Sequence, residues 1–479
     1  MTSNGLVVIS SILVTAVHTL GVLTAAHAVM QVRSSQGAIA WGMSLITFPW
    51  LALPLYWVFG RNHFLGYQEA MRRVYIQHHE RIHEIYRQLK THQVSLPEPL
   101  TSLDQLARLF TPLTFTAGNT VTLLIDGQQT YAAMLGAIAQ AQHYILLQSY
   151  IINDDETGRD FQQALIARAQ QGVRICLLYD EIGSKNISRS YIQALRQQGI
   201  QVSAFHTTKG RGNRLQINFR NHRKILVVDG ETAFVGGLNI GNEYLGKDPK
   251  LSPWRDTHIQ ISGPSVQALQ SSFLGDWYWA TGELPEVFWQ VQRDFGGHAT
   301  ALILPTGPAD PFPTCQLFLI NAINLAHSRL WIASPYFVPD EPVLAALKLA
   351  VMRGVDVRIL LPNRPDHLFV YLCSFAYYTE LQSVGIQLYR YKQGFMHQKI
   401  MLIDQAIAGV GTVNLDNRSF FLNFEVMGFI TEADLIQSIE TMLQADLTAS
   451  IKVNLDEYCR QPFWFRLVVK TARLLSPIL

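Results

Sequence analysis

The sequence carries one pattern of polar and glycine residues twice, in the same order and at the same spacing. In each copy a histidine and a lysine two positions apart are followed by an aspartate and then by G-x-x-N. One such match is typical of a solvated strand end, but two copies in register indicate a functional site. The first copy comprises His222, Lys224, Asp229, Gly236 and Asn239, and the second comprises His397, Lys399, Asp404, Gly411 and Asn414.

These residue types suit chemistry at a phosphate. Side chains two positions apart on a strand point to the same face, so that histidine and lysine can reach one ligand. Two copies facing each other would surround a phosphate with ammonium groups and the amides of Asn239 and Asn414. One imidazole can attack phosphorus while the other protonates the departing oxygen. The motifs therefore predict phosphoryl-group transfer without a metal and without a cofactor.

A histidine nucleophile needs a carboxylate to hold its second ring nitrogen. Each half of the chain offers one, Asp256 and Glu425, at the start of an apolar stretch that could form a strand beside the motif strand. Glu243 competes for this task, but it follows the first motif so closely that a place in its own turn is favoured. Asp229 and Asp404 count with the catalytic motif, although their position at strand ends favours fixing a turn.

The motifs lie in two halves that an internal repeat relates. A helix end, a glycine and a short apolar strand at 172–178 match those at 354–360, and the strand at 144–150 matches that at 330–336. Helical and strand patterns alternate in both halves, which predicts an α/β fold with a largely buried mixed sheet. We place the first repeat at 111–298 and the second at 299–445.

The amino-terminal residues 1–60 are predicted to form a transmembrane helical hairpin. Its spans, about 5–30 and 37–60, each exceed the roughly 20 helical residues that cross a bilayer core. A signal peptide is the alternative, but no basic residue precedes the first apolar stretch. Pro49 and Pro54 would kink the second span.

Charge is distributed unevenly, and this predicts the orientation of the hairpin. Arg33 is the one Lys, Arg, Asp or Glu among the first sixty residues, whereas basic residues follow the second span. By the positive-inside bias, the catalytic unit faces the cytoplasm. The basic residues after the second span are Arg61, Arg72, Arg73, Arg81, Arg87 and Lys90.

Two further segments are predicted to lie near the membrane. Residues 61–110 are predicted to form a helix and a linker. The helix either lies along the anionic leaflet or only connects the hairpin to the rest of the chain. Residues 446–479 include a basic amphipathic helix, which we place on the bilayer surface in preference to the protein core. The basic side chains of its one face are Arg466, Lys470 and Arg473.

Composition excludes several classes of protein. Charged residues make up 15% of the chain, against about 25% in ordinary soluble domains, and this deficit is concentrated at the amino terminus. The net charge of +2 is too small to produce the strong positive electrostatic potential that attracts nucleic acids, so no nucleic-acid partner is expected. Four cysteines lie far apart, which argues against a disulfide framework or a structural metal site.

The paired H-x-K-x4-D and G-x-x-N elements resemble the phospholipase D superfamily, and the hairpin and carboxy-terminal segment resemble the bacterial cardiolipin synthases. The resemblance implies two repeats in one bilobal unit and a multi-pass protein of the bacterial inner membrane. It implies phosphatidylglycerol and other phospholipids as partners, with cardiolipin and glycerol made from two phosphatidylglycerol molecules. A phosphohistidine would form on His222, and His397 would protonate the released glycerol.

One position departs from the superfamily pattern, which usually has serine after the motif glycine. Gly237 and Thr412 stand there in this sequence, and Thr412 retains a hydroxyl that we expect to bind the phosphate. A cluster of basic residues around the first motif supports an anionic substrate, although such a cluster also occurs in ordinary solvated loops. It consists of Lys209, Arg211, Arg214, Arg220 and Arg223.

Two alternatives to a transferase remain at this point. The same pocket could use water as the acceptor, as in a hydrolytic phospholipase D, a phosphodiesterase or a nuclease. A catalytically inactive lipid-binding scaffold is the other alternative, and the intact histidine, lysine and asparagine in both halves argue against it.

Overall fold

The computed structural model describes residues 3–32, 34–61, 63–208, 218–290, 295–454, 458 and 460–476. The chain forms two compact units. The first comprises residues 1–68 and 207–219, and the second comprises residues 69–206 and 220–479. Some residues considered above lie outside the described residues, namely Arg33, Lys209, Arg211, Arg214 and Cys459.

The first unit begins with α1 (Ser3–Gln31), α2 (Ser35–Thr47) and α3 (Pro49–Phe59). Helix α1 packs against α2 and α3, and the contact at Gly21 is so close that a Cβ there would lie 2.4 Å from the Leu45 carbonyl oxygen. Small residues permit such close approach of two helices. The side chains buried in this packing are Ala25, Ala28, Leu45, Ala52, Leu53 and Tyr56.

The second predicted span differs from the single kinked helix expected over 37–60. Phe48 leaves the helical region, with φ −132° and ψ 56°, and the chain resumes as a helix at Pro49. Proline disfavours helical geometry in the residue before it and has no N–H to donate. In the described part of the chain, one helix is long and apolar enough to cross a membrane, at Val7–Gln31.

The segment predicted as a helix and linker at 61–110 contains two helices. Helix α4 (Leu65–Leu89) is kinked at His78, and α5 (Thr101–Phe110) follows the proline-containing linker. Leu103 and Ala107 of α5 are buried in the hydrophobic core of the second repeat.

The first repeat alternates helices with strands. Its helices are α6 (Asp126–Gln140), α7 (Glu156–Ala169), α8 (Arg189–Gln197) and α9 (Val266–Thr281). Its strands are β1 (Thr116–Ile125), β2 (Tyr144–Ser149), β3 (Arg174–Asp180), β4 (Gln201–Phe205), β5 (Arg220–Asn221), β6 (Ile225–Val228), β7 (Thr232–Gly236), β8 (Trp254–Arg255) and β9 (Thr257–Ser262).

The second repeat has corresponding elements. Its helices are α10 (Thr314–Leu325), α11 (Glu341–Met352), α12 (Leu368–Ser383), α13 (Asn417–Phe421) and α14 (Ala433–Thr448). Its strands are β10 (Ala299–Thr306), β11 (Arg329–Ala333), β12 (Phe337–Val338), β13 (Asp356–Pro362), β14 (Gln387–Tyr391), β15 (Phe395–Met396), β16 (Ile400–Ile403), β17 (Ile407–Gly411), β18 (Leu415–Asp416), β19 (Asn423–Ile430) and β20 (Ser450–Lys452).

The strand order repeats, which confirms the α/β fold and the internal repeat. The first half runs β1-β9-β7-β6-β2-β3-β4, and the second runs β10-β19-β17-β16-β11-β13-β14. Both halves combine parallel and antiparallel pairs, and β1 pairs with β10 to join them into one mixed sheet. Motif strands β6 and β16 are entirely buried, as expected for apolar strands covered on both faces.

Two short parallel pairs connect the halves next to the motifs. Strand β5 of the first half pairs with the start of β19 in the second. Strand β15 of the second half pairs with β8 of the first. The two pairs are equivalent under the repeat, and each one brings a histidine motif against a segment of the other half.

The carboxy-terminal helix α15 (Phe463–Arg473) packs on α12 through the buried Val469 and Ala472. Phe465 is partly buried against Phe375, whereas Trp464 and Leu467 are exposed. One face of this helix therefore docks on the protein core, the alternative considered less favourable from the sequence, while another face is exposed.

Candidate active site

Each motif histidine immediately follows one of the short crossing strands. His222 comes after β5, and its backbone N–H donates to the Phe424 carbonyl oxygen at 2.9 Å. His397 comes after β15, and its N–H donates to the Arg255 carbonyl oxygen at 2.8 Å. Both imidazoles are buried. The backbone pairing thus sets each ring opposite the residue that follows the two paired residues of the other half.

These partner residues are the two carboxylates singled out in the sequence, but each belongs to the opposite half. Nδ1 of His222 lies 2.9 Å from Oε2 of Glu425, and Nδ1 of His397 lies 2.8 Å from Oδ2 of Asp256. Because an ionised carboxylate only accepts, Nδ1–H donates and Nε2 is left to act on a substrate.

The position expected for these carboxylates was a strand beside the motif strand of the same half. Strand β7 separates β6 from β9, and β17 separates β16 from β19, so neither acid reaches the histidine of its own half in that way. The crossing pairs β5·β19 and β8·β15 provide the contact instead.

The two carboxylates are supported differently. The Thr412 hydroxyl donates to Oε2 of Glu425 at 2.5 Å, and the Asn423 amide donates to Oε1 at 3.1 Å. Asp256 accepts from the Trp254 indole N–H at 3.3 Å. At the position equivalent to Thr412, a Cβ on Gly237 would lie 2.0 Å from Oδ1 of Asp256. Glycine therefore leaves room for the aspartate.

This geometry corrects the expectation for Thr412. The side chain is fully buried and its hydroxyl is engaged with Glu425, and it does not line the cavity that both histidines face. It supports a histidine-orienting carboxylate instead of contacting the phosphate.

The motif lysines are buried beside the histidines. Each Nζ donates to the carbonyl oxygen of its own motif histidine, at 2.7 Å for Lys224 and 2.6 Å for Lys399. Burial lowers the pKa of Lys224 to about 7 and that of Lys399 to about 8, against the opposing effect of the nearby Glu425 and Asp256 carboxylates. A bound phosphate anion would favour the charged form of both ammonium groups.

Burial also disfavours charge on the two imidazoles. It lowers the pKa of His222 to about 4, and Lys224 acts in the same direction. Burial lowers the pKa of His397 well below its usual value, as does Lys399. At neutral pH both rings are therefore neutral in the free site, with Nε2 able to act as a nucleophile or a base.

The histidines open into a cavity of about 490 Å³. Asn239 and Asn414 both line it, and phosphate binding by their amides stays a prediction. The Asn239 amide donates to the Tyr244 hydroxyl at 2.9 Å, and its Oδ1 accepts from the Ile151 N–H at 3.1 Å. The other charged or histidine side chains along the cavity are Arg220, Glu243, Asp366, His367, Asp416 and Arg418.

Asp229 and Asp404 lie away from this cavity and hold turns. Asp229 has φ 54° and Asp404 has φ 51°. The Asp229 carboxylate accepts three backbone N–H groups at 2.7–2.8 Å, from residues 142–144. Asp404 accepts three from residues 327–329 at 2.8–2.9 Å. Each aspartate ties the end of a motif strand to the turn that precedes β2 or β11, so neither belongs with groups that touch a substrate.

The basic cluster around the first motif does not act as one group. Arg220 lines the cavity. Arg223 is buried, and its guanidinium is paired with Asp276 at 2.9 Å, so it does not face the substrate. Glu243 lies in the short turn Asn242–Leu245, as favoured from the sequence, and it also lines the cavity.

Sequence reasoning overlooked several cavity residues. The Tyr150 ring lies 5.1 Å from that of His222, and the Tyr336 ring lies 6.5 Å from that of His397. Both tyrosines end the matched segments of the internal repeat, a signal that could have identified them. Arg418 also lines the cavity, but its single occurrence in the repeat gave no such signal.

Among the described residues, no group of three or more His, Cys, Asp or Glu side chains is arranged to hold a metal ion. Independence from metal stays a prediction that chelation can test.

Comparisons with known proteins agree with this site. A family model described as "Cardiolipin synthase, PLD-like domain" matches residues 134–277 and 319–447, which contain the two motifs. The chain is 46% identical over 473 residues to cardiolipin synthase A of Pseudomonas fluorescens, with 98% of each chain covered. It is 46% identical over 474 residues to that of Pseudomonas aeruginosa, covering 98% of this chain and 96% of the relative.

A solved structure shares the fold. Phosphatidylserine synthase from Haemophilus influenzae aligns with a TM-score of 0.59 at 14% identity, covering 79% of this chain and 100% of that one. With paired motifs on a repeated sheet and family-level similarity along nearly its whole length, the chain belongs to the cardiolipin synthases of the phospholipase D superfamily.

Proposed function

We propose that the enzyme transfers a phosphatidyl group from one phosphatidylglycerol to a hydroxyl of a second, releasing glycerol and forming cardiolipin. The observation that carries this proposal is the pair of carboxylate-held imidazoles in one cavity, at 2.9 Å and 2.8 Å from Glu425 and Asp256. Two such histidines suit a reaction that needs a nucleophile and a separate acid–base group.

In the first step, Nε2 of His222 attacks the phosphorus of the donor lipid. A P–N bond forms and the bond between phosphorus and the glycerol oxygen breaks. His397 gives its proton to the departing oxygen, which leaves as glycerol. Glu425 stabilises the positive charge that develops on His222, as the carboxylate does in a catalytic triad.

In the second step, His397 removes a proton from a hydroxyl of the second phosphatidylglycerol. The resulting oxygen attacks phosphorus, the P–N bond breaks, and His222 is regenerated. One phosphodiester replaces another, so the reaction needs no nucleotide. The anionic phosphate between the rings favours protonation of His397, against the burial that lowers its pKa in the free site.

Incubation of the purified enzyme in detergent with labelled phosphatidylglycerol tests the proposal. Cardiolipin and glycerol in equal amounts are the expected products. Phosphatidic acid as the main lipid product would identify water as the acceptor and favour the hydrolase. His222→Ala and His397→Ala should each abolish cardiolipin formation.

Rapid quenching with denaturant at neutral pH then tests the covalent intermediate. The phosphatidyl group should be recovered on a peptide that contains His222. Label on His397 alone would reverse the assignment of nucleophile and acid. Absence of a covalent species in the wild-type enzyme under every quench would contradict the two-step reaction.

We further propose that the enzyme is a multi-pass protein of the bacterial inner membrane with its catalytic unit in the cytoplasm. Basic residues follow the second apolar segment, whereas Arg33 is the one charge between the two segments. In the second segment, α2 and α3 would cross as a broken helix, which membrane proteins accommodate where neighbouring helices cover the break.

Cysteine labelling in intact cells tests this topology. Residues 35 and 95 are exposed serines on opposite sides of the second segment. The native Cys176, Cys315 and Cys373 are buried, so Cys459→Ser completes a suitable background. Ser35→Cys should react with an impermeant reagent, and Ser95→Cys should react only after lysis. The opposite pattern would place the catalytic unit outside.

A further inference from the structure

The two sides of the cavity match in their catalytic groups but differ at two equivalent positions. Two residues before the motif histidine, the first half has Arg220 and the second has Phe395. Four residues after the motif asparagine, the first half has Glu243 and the second has Arg418. At each of these two positions, therefore, one half has an arginine and the other half does not.

Because the halves cross, both arginines lie on the His222 side of the cavity. Arg220 belongs to β5, which leads into His222, and Arg418 belongs to the half that supplies Glu425. Burial raises the pKa of Tyr150, while the charges of Arg220 and Arg418 oppose this rise. Tyr150 is the aromatic neighbour of His222, at 5.1 Å between ring centroids.

Arg220, Arg418 and Asp416 all line the cavity. Burial lowers the pKa of Arg418, and the positive charge of Arg220 lowers it further, against the opposing effect of Asp416. Like charges in a partly buried site repel each other, and an anion bound between them reduces this repulsion. Both side chains line the same cavity as the catalytic histidines.

The equivalent residues Glu243 and Phe395 lie on the His397 side. Glu243 precedes Tyr244, whose ring lies 4.7 Å from that of Trp254, and the Trp254 ring lies 5.1 Å from that of His397. Phe395 packs 5.9 Å from the same histidine. The two arginines at these positions therefore lie on the side of His222, and Glu243 and Phe395 lie on the side of His397.

We infer that Arg220 and Arg418 form a second anion subsite, which holds the phosphodiester of the acceptor lipid while its hydroxyl attacks the phosphatidyl-enzyme. This inference rests on the proposed transfer between two phosphatidylglycerols. Only three glycerol carbons separate the attacking oxygen from the acceptor's own phosphodiester, so this second phosphate must lie next to the reacting phosphorus. Arginine suits it because the planar guanidinium can donate two parallel hydrogen bonds to phosphate oxygens.

The partition of the phosphatidyl-enzyme between two acceptors tests this inference. Ethanol carries no phosphate, so phosphatidylethanol formation does not use the subsite. With phosphatidylglycerol and ethanol present together, both products come from one intermediate, and their ratio is independent of the donor step. Arg418→Gln and Arg220→Gln should each lower the ratio of cardiolipin to phosphatidylethanol about tenfold, the effect of losing one charge-assisted hydrogen bond.

Three further measurements make the result specific. Arg418→Lys keeps the charge but loses the planar guanidinium that can donate two parallel hydrogen bonds. It should give an intermediate ratio of cardiolipin to phosphatidylethanol. Arg159→Gln, which removes an exposed guanidinium paired with Asp154, should leave the ratio unchanged. In the wild-type enzyme, an acylglycerol that offers the same hydroxyls without a phosphate should be a poorer acceptor than phosphatidylglycerol, again by about tenfold.

Several outcomes would overturn the inference. Total turnover that falls in both glutamine variants with an unchanged ratio would assign the arginines to the donor phosphate. Equal use of phosphatidylglycerol and the neutral acylglycerol by the wild-type enzyme would exclude an acceptor-phosphate subsite, whatever the variants do. If the wild-type enzyme makes no cardiolipin, the proposed function itself fails, and this result is distinct from both others.

Discussion

Glu425→Gln is the most informative single substitution because the structure assigns Glu425 to the histidine of the other half. The carboxylate accepts from Nδ1 of His222, with oxygen distances of 2.9 and 3.1 Å. A glutamine of the same size removes the negative charge and can present an N–H to that nitrogen. Imidazole then loses both its stabilising anion and its required tautomer.

The magnitude follows from the equivalent change in a triad. Replacing an orienting aspartate by asparagine in a serine protease lowers kcat by about 10⁴-fold, a barrier increase of about 5 kcal/mol. Glu425 is fully buried and His222 nearly so, so water cannot substitute for the lost carboxylate. We expect cardiolipin formation to fall by about 10³–10⁴-fold, with a cooperative thermal transition retained.

A donor with an activated leaving group separates the two histidine–carboxylate pairs. A p-nitrophenyl ester of phosphatidic acid releases p-nitrophenolate, which needs no general acid. Its burst should be lost in His222→Ala and Glu425→Gln, and largely retained in His397→Ala and in the corresponding Asp256→Asn.

The pairing of phenotypes is the decisive result, because it does not depend on which histidine is the nucleophile. If His397 attacks phosphorus, the sensitive pair becomes His397 with Asp256. Glu425→Gln behaving like His397→Ala, with Asp256→Asn behaving like His222→Ala, would refute the crossed arrangement.

Three other expectations can be checked. Thr412→Val should lower kcat about tenfold with little change in KM, because Glu425 loses a hydrogen bond at 2.5 Å; a raised KM with unchanged kcat would instead mean that the hydroxyl contacts the phosphate. The charged forms of Lys224 and Lys399, whose pKa values are about 7 and about 8, are present below those values and lost above them. The kcat/KM should therefore decline as pH rises through this range, and a flat profile would contradict a need for the ammonium charge. Activity should survive exhaustive chelation, and a loss that one specific divalent ion restores would contradict catalysis without metal, provided that ion effects on lipid packing are controlled.

Local patterns in the sequence were sufficient for the fold class and for selecting motif residues that the fold brings to one region. The repeated helix–glycine–strand segments predicted the mixed sheet, because apolar periodicity and glycine stops are properties of short segments. The paired motifs located the histidines, lysines and asparagines, since each motif is contiguous. The turn-fixing position of Asp229 and Asp404 also followed from their place at the ends of strands.

Contacts between distant segments required the folded chain. Strand β5 pairs with β19 across 203 residues at Asn221 and Phe424, and nothing local distinguishes this partner from a strand of the same half. A buried apolar run has no fixed neighbour, so its pattern predicts a strand without predicting the pairing. The exchange of Asp256 and Glu425 between the histidines is a consequence of that long-range pairing.

The contacts that individual polar side chains make also depended on this tertiary packing. Thr412 was expected at the phosphate and instead donates to Glu425, while Arg223, one residue after His222, is buried against Asp276. Arg220 and Arg418 are remote in sequence but line one cavity. Hydrogen bonds and charges act through space, whereas a sequence motif records only separation along the chain. The crossing of the two halves decides which residues, distant in sequence, lie within reach of each other.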